Sequence, residues 1–168
     1  FSNSIDQSVV SGYQCGGNIS INMVLEENKN IMQMCYIYDD GYTKLLLSHA
    51  GISHEWLINN GWNGTFPIDQ FVNDLWIYQP TKFEFNGMDP YGDNTYQTPI
   101  WIRPDSLLRV NRDTLKDEYI QIVGHTAMKK IDIEGKATGG RYYFIDTLGT
   151  SGEYLIWEDG LFTTKKVI

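Results

Sequence analysis

The chain is short of cysteine, short of positive charge and without long apolar runs, and each shortage removes a class of protein. Cys15 and Cys35 are its only cysteines. Two isolated thiols build neither a disulfide framework nor a zinc finger, so a reduced, cytoplasmic compartment is the expectation. Lysine and arginine number 13 against 21 aspartates and glutamates, a formal net charge of -8. The cations are scattered rather than striped, which argues against nucleic acid as a partner, because neutralising phosphates needs clustered cations. No apolar run reaches membrane-spanning length, so no membrane is expected as a partner either. What remains is a globular composition, 42% hydrophobic and 14% aromatic over 168 residues, enough for a single domain, 1–168, with a real core. The chain begins at Phe1, without methionine, and reads as one piece of a longer protein.

Helical signals dominate the first half. After the glycine-rich SGYQCGG, residues 11–17, apolar positions Ile21, Val24, Leu25, Ile31 and Met32 predict a helix over about 20–34. YIYDDGYTKLLLSHA predicts two short strands around the Asp39–Asp40–Gly41 turn, the second of them buried. Ser53 is a good cap and Gly61 a good stop for a short helix. Pro67, followed by Ile68, Phe71, Val72 and Leu75 on one face, predicts another over about 67–77. Residues 79–98 carry Phe83, Phe85, Tyr91 and Tyr96 with neither period, the character of a lid, a binding loop or a surface excursion.

The second half reads as strands. TPIWIRP, EYIQIVGHT, MKKIDIEGK, RYYFIDT and EYLIWEDGLFTTKKVI are β-branched or aromatic segments broken by glycines and an Asp-Gly turn. Helices followed by strands indicate an α+β class with helices layered on sheet.

Two of these segments share an ending. LLLSHAG and IQIVGHT each run an apolar strand into an imidazole followed by small residues, at His49 and His125. A buried strand holds its end rigidly and the loop beyond is open to ligand, so a catalytic or metal-binding group is well preorganised there. Neutral imidazole is a good ligand for zinc, manganese or iron at cellular pH. A histidine at a strand end also serves plain structure; the repetition of the pattern is what marks this pair. His54 matches no ligand motif and reads as structural or solvent-exposed.

LLLSHAGIS resembles the histidine-bearing strand end of the calcineurin-like metallophosphoesterases, in their phosphoprotein-phosphatase and diadenosine-tetraphosphatase branch. IVGHT is similar to that family's later Gly-His-Thr motif, PIWIRP to its Trp-x-Arg segment, and YFIDTLGTSGEYLIWED to its closing strand and hairpin. The four segments lie in the family's order and cover about residues 43–159.

The resemblance implies a mixed β-sandwich flanked by helices, a four-layer fold of which this chain is the C-terminal part. It implies two divalent metal ions (Mn, Fe or Zn), with His49 and His125 as ligands. Arg103 would contact the substrate phosphate, and Asp146 would steady the site. Arg103 has a plainer role available in pairing with Asp105, and Asp146 in capping a turn. The family's Asp-x-His, Gly-Asp-x-x-Asp-Arg-Gly and Gly-Asn-His-Asp/Glu motifs are absent from the sequence, and Leu148 stands where the family has a glycine after the threonine. The expected partners are therefore the missing N-terminal half of the same enzyme and a phosphorylated protein or small phosphoester substrate. Two other readings stand beside a phosphoserine/threonine-phosphatase-like hydrolase. One is a symmetric dinucleoside-polyphosphate hydrolase, with loop aromatics stacking a base. The other is a non-catalytic α+β binding module with structural histidines.

Overall fold

The computed structural model describes residues 23–24, 26–28, 31–87, 93–109, 115–134 and 141–167. The chain divides into two compact units, Phe1–Gln33 and Met34–Ile168. In the first, residues 23, 24 and 26–28 are helical, and the Asn28 side-chain amide donates to the Val24 carbonyl at 2.8 Å. Ile31 is already in a turn, so the helix predicted to residue 34 stops earlier; the start of that prediction lies outside the described residues.

The second unit is α+β. A five-stranded mixed sheet has the order β1-β2-β3-β5-β4, from β1 (Cys35–Asp39), β2 (Lys44–Ser48), β3 (Ile120–Val123), β4 (Asp132–Glu134) and β5 (Tyr142–Phe144). Strands β2, β3 and β5 run parallel, and β1 and β4 pair antiparallel at the two edges. A separate hairpin joins β6 (Glu153–Glu158) and β7 (Leu161–Lys166). Its turn residues Asp159 and Gly160 both have positive φ, 51° and 78°, the combination a tight hairpin turn matching the strand twist requires. The β1–β2 turn is tied by its own carboxylates: Asp39 accepts from the Gly41 N–H, and Asp40 from the N–H groups of Tyr42 and Thr43.

Three short helices follow a cap or a proline, α1 (His54–Asn59), α2 (Ile68–Tyr78) and α3 (Pro104–Leu108), and a fourth is α4 (Leu115–Glu118). Ser53 caps α1, its hydroxyl accepting from the Trp56 N–H at 3.0 Å. The segment TPIWIRP is not a strand. Pro99 and Pro104 have no N–H to give a ladder. The Thr98 carbonyl instead takes the Trp101 and Ile102 N–H groups in a turn, and Pro104 opens α3.

Pleating sorts the sheet into two faces. Ile37, Leu46, Gln121 and Tyr142 form one cross-strand row, and Cys35, Ser48, Val123 and Phe144 the next on the same face. Leu46 packs with Trp56 and Leu57 of α1 and Ile68, Val72 and Leu75 of α2; Val123 and Phe144 pack with Ile102 and Leu107. On the opposite face Ile122 and Tyr143 meet Leu155 and Phe162 of the hairpin. The Tyr143 and Phe162 rings lie 4.1 Å apart.

Candidate active site

His49 directly follows β2, His125 stands two residues beyond β3, and Asp146 two beyond β5. These strands are parallel neighbours, so all three residues emerge at the same, carboxyl-terminal edge of the sheet, where open α/β sheets place ligands. The segments are stitched together by backbone. Gly124 N–H donates to the His49 carbonyl at 3.0 Å, and Ile145 N–H to the Val123 carbonyl at 2.8 Å. Met128 N–H donates to the Asp146 carbonyl at 2.8 Å. A Cβ at position 124 would stand 3.3 Å from that His49 oxygen, which explains a glycine before the histidine. His125 itself has φ 67°, a conformation uncommon outside glycine and kept where surroundings enforce it.

The two imidazoles, 76 residues apart in sequence, meet. His49 Nε2 and His125 Nδ1 are 2.9 Å apart, so one donates and the other accepts, and the ring centroids are 4.8 Å apart. Arg103 reaches the same place from the N-cap position of α3, its Nη1 donating to Thr126 Oγ1 at 3.3 Å. Trp101 stands edge-on to His125 with centroids at 6.0 Å, and Phe85 edge-on to Trp101 at 5.4 Å. His54 is apart from this group: its ring contacts Trp62, as its structural reading expects.

Burial, then the Arg103 guanidinium, then His49 hold the His125 imidazole down to about 4, against the opposing pull of the Asp146 carboxylate. His49, exposed as a whole residue, is lowered by burial of its ring, again opposed by Asp146. Both rings are therefore neutral near pH 7, and because one donates to the other a single ring nitrogen of the pair keeps a free lone pair: His125 Nε2 when His125 Nδ1 is the donor, His49 Nδ1 when His49 Nε2 is. His125 Nε2 is buried and has no hydrogen-bond partner among the described residues. With the proton on His125 Nδ1, this unpartnered Nε2 carries the lone pair and suits a divalent metal ion in donor chemistry. In donor number the described residues are incomplete: none of them form a group of three or more His, Cys, Asp or Glu side chains able to hold an ion.

All four residues singled out in the sequence thus gather at one edge of the sheet. Trp101 and Thr126 also belong to this group; the sequence gives them no role of their own, but they are the tryptophan of the Trp-x-Arg segment and the threonine of the Gly-His-Thr motif. Gln121, discussed below, gave no signal beyond being a polar residue in an apolar strand. Of the aromatic segment 79–98, residues 88–92 lie outside the described residues; in the rest, the buried Gln97 side chain ties residues 86 and 87, accepting from Asn86 N–H at 3.0 Å and donating to the Gly87 carbonyl at 3.1 Å. An open groove of about 630 Å³ lies elsewhere, lined by Asp39, Lys44, Trp62, Phe66, Glu118 and Tyr119. Its lysine is already neutralised by Glu118 at 2.7 Å, and it contains none of the clustered histidines.

Comparison with family models, with curated proteins and with solved structures finds no match to this chain. None of the described helices is long and apolar enough to cross a membrane.

Proposed function

We propose that the chain is the C-terminal part of a metal-dependent phosphoric ester hydrolase of the phosphoserine/threonine-phosphatase-like, calcineurin-like kind, acting in the cytoplasm. The observation that carries this reading is the convergence of His49 and His125 at the ends of adjacent parallel strands, with a buried unpartnered Nε2 and Arg103 alongside. In this reading the two imidazoles give up their mutual hydrogen bond to donate to metal, and the remaining ligands and the facing sheet of a four-layer sandwich come from sequence upstream. Divalent Mn, Fe or Zn would supply Lewis-acid activation of a phosphoryl group and of water.

The chain's own residues do the rest. The imidazoles at His49 and His125 are neutral at cellular pH, one lone pair being free and the other engaged in their mutual hydrogen bond. Arg103 offers a planar, permanently charged fork that binds two phosphate oxygens, and Thr126 fixes one arm of it. Asp146 places negative charge beside both rings and offsets the cationic Arg103. Incoming substrate would compete with Thr126 for the guanidinium, which is a weak enough contact at 3.3 Å to yield.

A specific contact favours a second substrate. Phe85 and Trp101 continue the ring contacts outward from His125, each edge-on to the next, and supply aromatic rings against which a nucleobase would stack in symmetric dinucleoside-polyphosphate hydrolysis. The alternative of a non-catalytic module, with structural histidines, expects no convergence of the rings and is disfavoured by their hydrogen bond.

The test is hydrolysis of p-nitrophenyl phosphate with Mn²⁺, by this chain alone and by the chain joined to its upstream sequence. The chain alone is expected to be inactive and the joined protein active. His49→Ala and His125→Ala should abolish turnover, and Arg103→Ala should lower it roughly 100-fold, the scale of losing one charge-stabilising donor. Joined protein whose turnover is indifferent to both histidines would overturn the reading. Comparing a phosphopeptide with a dinucleoside tetraphosphate then separates the two substrates.

A further inference from the structure

Gln121 is polar where the strand pattern asks for an apolar side chain. It sits in the row between Leu46 and Tyr142, on the helix-covered face of the sheet, with none of its surface exposed. An amide in such a place is costly unless both its ends are satisfied. One residue satisfies both: Oε1 accepts from the Ile52 N–H at 3.0 Å, and Nε2 donates to the Ile52 carbonyl at 2.9 Å. The side chain makes the two contacts a neighbouring strand would make, to a residue that belongs to no strand.

The positions of the two partners give the contact its meaning. Ile52 lies three residues after His49, and Gln121 four residues before His125. The Gly124–His49 backbone hydrogen bond joins the two histidine segments at one point. A single point leaves the 49–53 loop free to pivot. The Gln121 amide adds a second point at the loop's far end. The remaining contacts of that loop, Ala50 N–H to the Pro99 carbonyl at 3.0 Å and Gly51 N–H to Ser48 Oγ at 3.1 Å, hold it to other segments.

We infer that Gln121 is a positioning residue, whose amide clamp on Ile52 sets the placement of the His49 ring against the His125 ring. Its consequence for catalysis rests on the phosphoesterase reading. The ring placement itself does not, so the two can fail separately.

The test reads the rings and not turnover. In the metal-free, ¹⁵N-labelled full chain at pH 8, the His49–His125 contact should give a through-hydrogen-bond nitrogen–nitrogen coupling and one fixed tautomer for each ring. Gln121→Met keeps length and volume but removes both hydrogen bonds; the coupling should vanish and each ring should show mixed tautomers. Asn73→Ala is the matched control. The Asn73 side chain makes a similar two-point grip, accepting from Met34 N–H at 2.7 Å and donating to the Cys35 carbonyl at 3.0 Å, but on the edge strand. It should lower the melting temperature and leave the coupling intact. A folded Gln121→Met chain with wild-type coupling would overturn the inference. Should that variant not fold, the wild-type chain gives the same answer under graded urea. Ile52 amide protection and the ring coupling should then be lost together, and coupling that outlasts that protection would also overturn it.

Discussion

His125 combines a left-handed backbone, a buried nitrogen without a partner among the described residues and a neighbouring guanidinium. Each is unfavourable alone, and their coincidence at one residue is what the proposed function accounts for. Its depressed titration, about 4 against the ordinary 6.5, has a consequence for the metal-free chain. Between those values the unfolded chain binds a proton that the native ring refuses. Stability is therefore complete above about pH 6.5 and declines as pH falls toward 4. Urea midpoints at pH 7.5 and pH 5 should show that fall, and His125→Gln should flatten it. The Arg103 charge is the second cause of the shift, so Arg103→Ala should move the His125 titration upward while Arg103→Lys leaves it near its place; an NMR titration of the ring distinguishes them. At this scale the sequence was legible for the position of His49 and His125, because a strand running into an imidazole is visible in one dimension, whereas Arg103 and Asp146 were singled out only through the resemblance. It was silent on Gln121, since a buried amide is recognisable only from the partner that satisfies it.

Among the elements, turns and caps were legible and proline-flanked segments were not. Asp-Gly between two β-rich runs foretells the β6–β7 hairpin, because two consecutive positive φ values are demanded there and few residues accept them. TPIWIRP has the composition of a strand, yet its two prolines leave no ladder to join. Glycines make the local physics testable. At Gly160 a side chain would meet nothing, so Gly160→Ala should cost only the backbone strain, about 1 kcal/mol, read from the urea midpoint. Gly51, with φ 104°, is different: a Cβ there would run into Leu107 Cδ1. Gly51→Ala should cost more than Gly160→Ala, and it should also disturb the His49 ring, since Gly51 lies two residues away in the same loop. Ser53→Ala removes the α1 cap and the hydroxyl's contact with the Thr95 carbonyl, for a loss of about 1–2 kcal/mol.

At the scale of the whole unit, the parallel core β2-β3-β5 explains why residues from three distant segments share one edge. The order of strands was not legible, because parallel neighbours need no local signature and are chosen by packing on both faces. Those faces are unequal. On the helix face Leu46 is fully buried among α1 and α2. On the other, the row Tyr36–Leu47–Ile122–Tyr143 runs from exposed to buried, at 52%, 37%, 8% and 9% exposure, as it passes toward the strands the hairpin covers. The helix face therefore carries more of the stability, and it also carries the histidine loop. Leu46→Ala should cost about 2–5 kcal/mol, the range for a buried leucine whose cavity cannot collapse. Phe162→Ala, on a half-buried ring against Tyr143 and Trp157, should cost roughly 1–2 kcal/mol, below the range for a fully buried ring. Because Phe162 acts on the far face, its removal should leave the His49–His125 coupling unchanged, whereas Leu46→Ala should loosen it. Equal losses in the two variants, or a coupling sensitive to Phe162 and not to Leu46, would mean that the hairpin and not the helical layer braces the histidine edge.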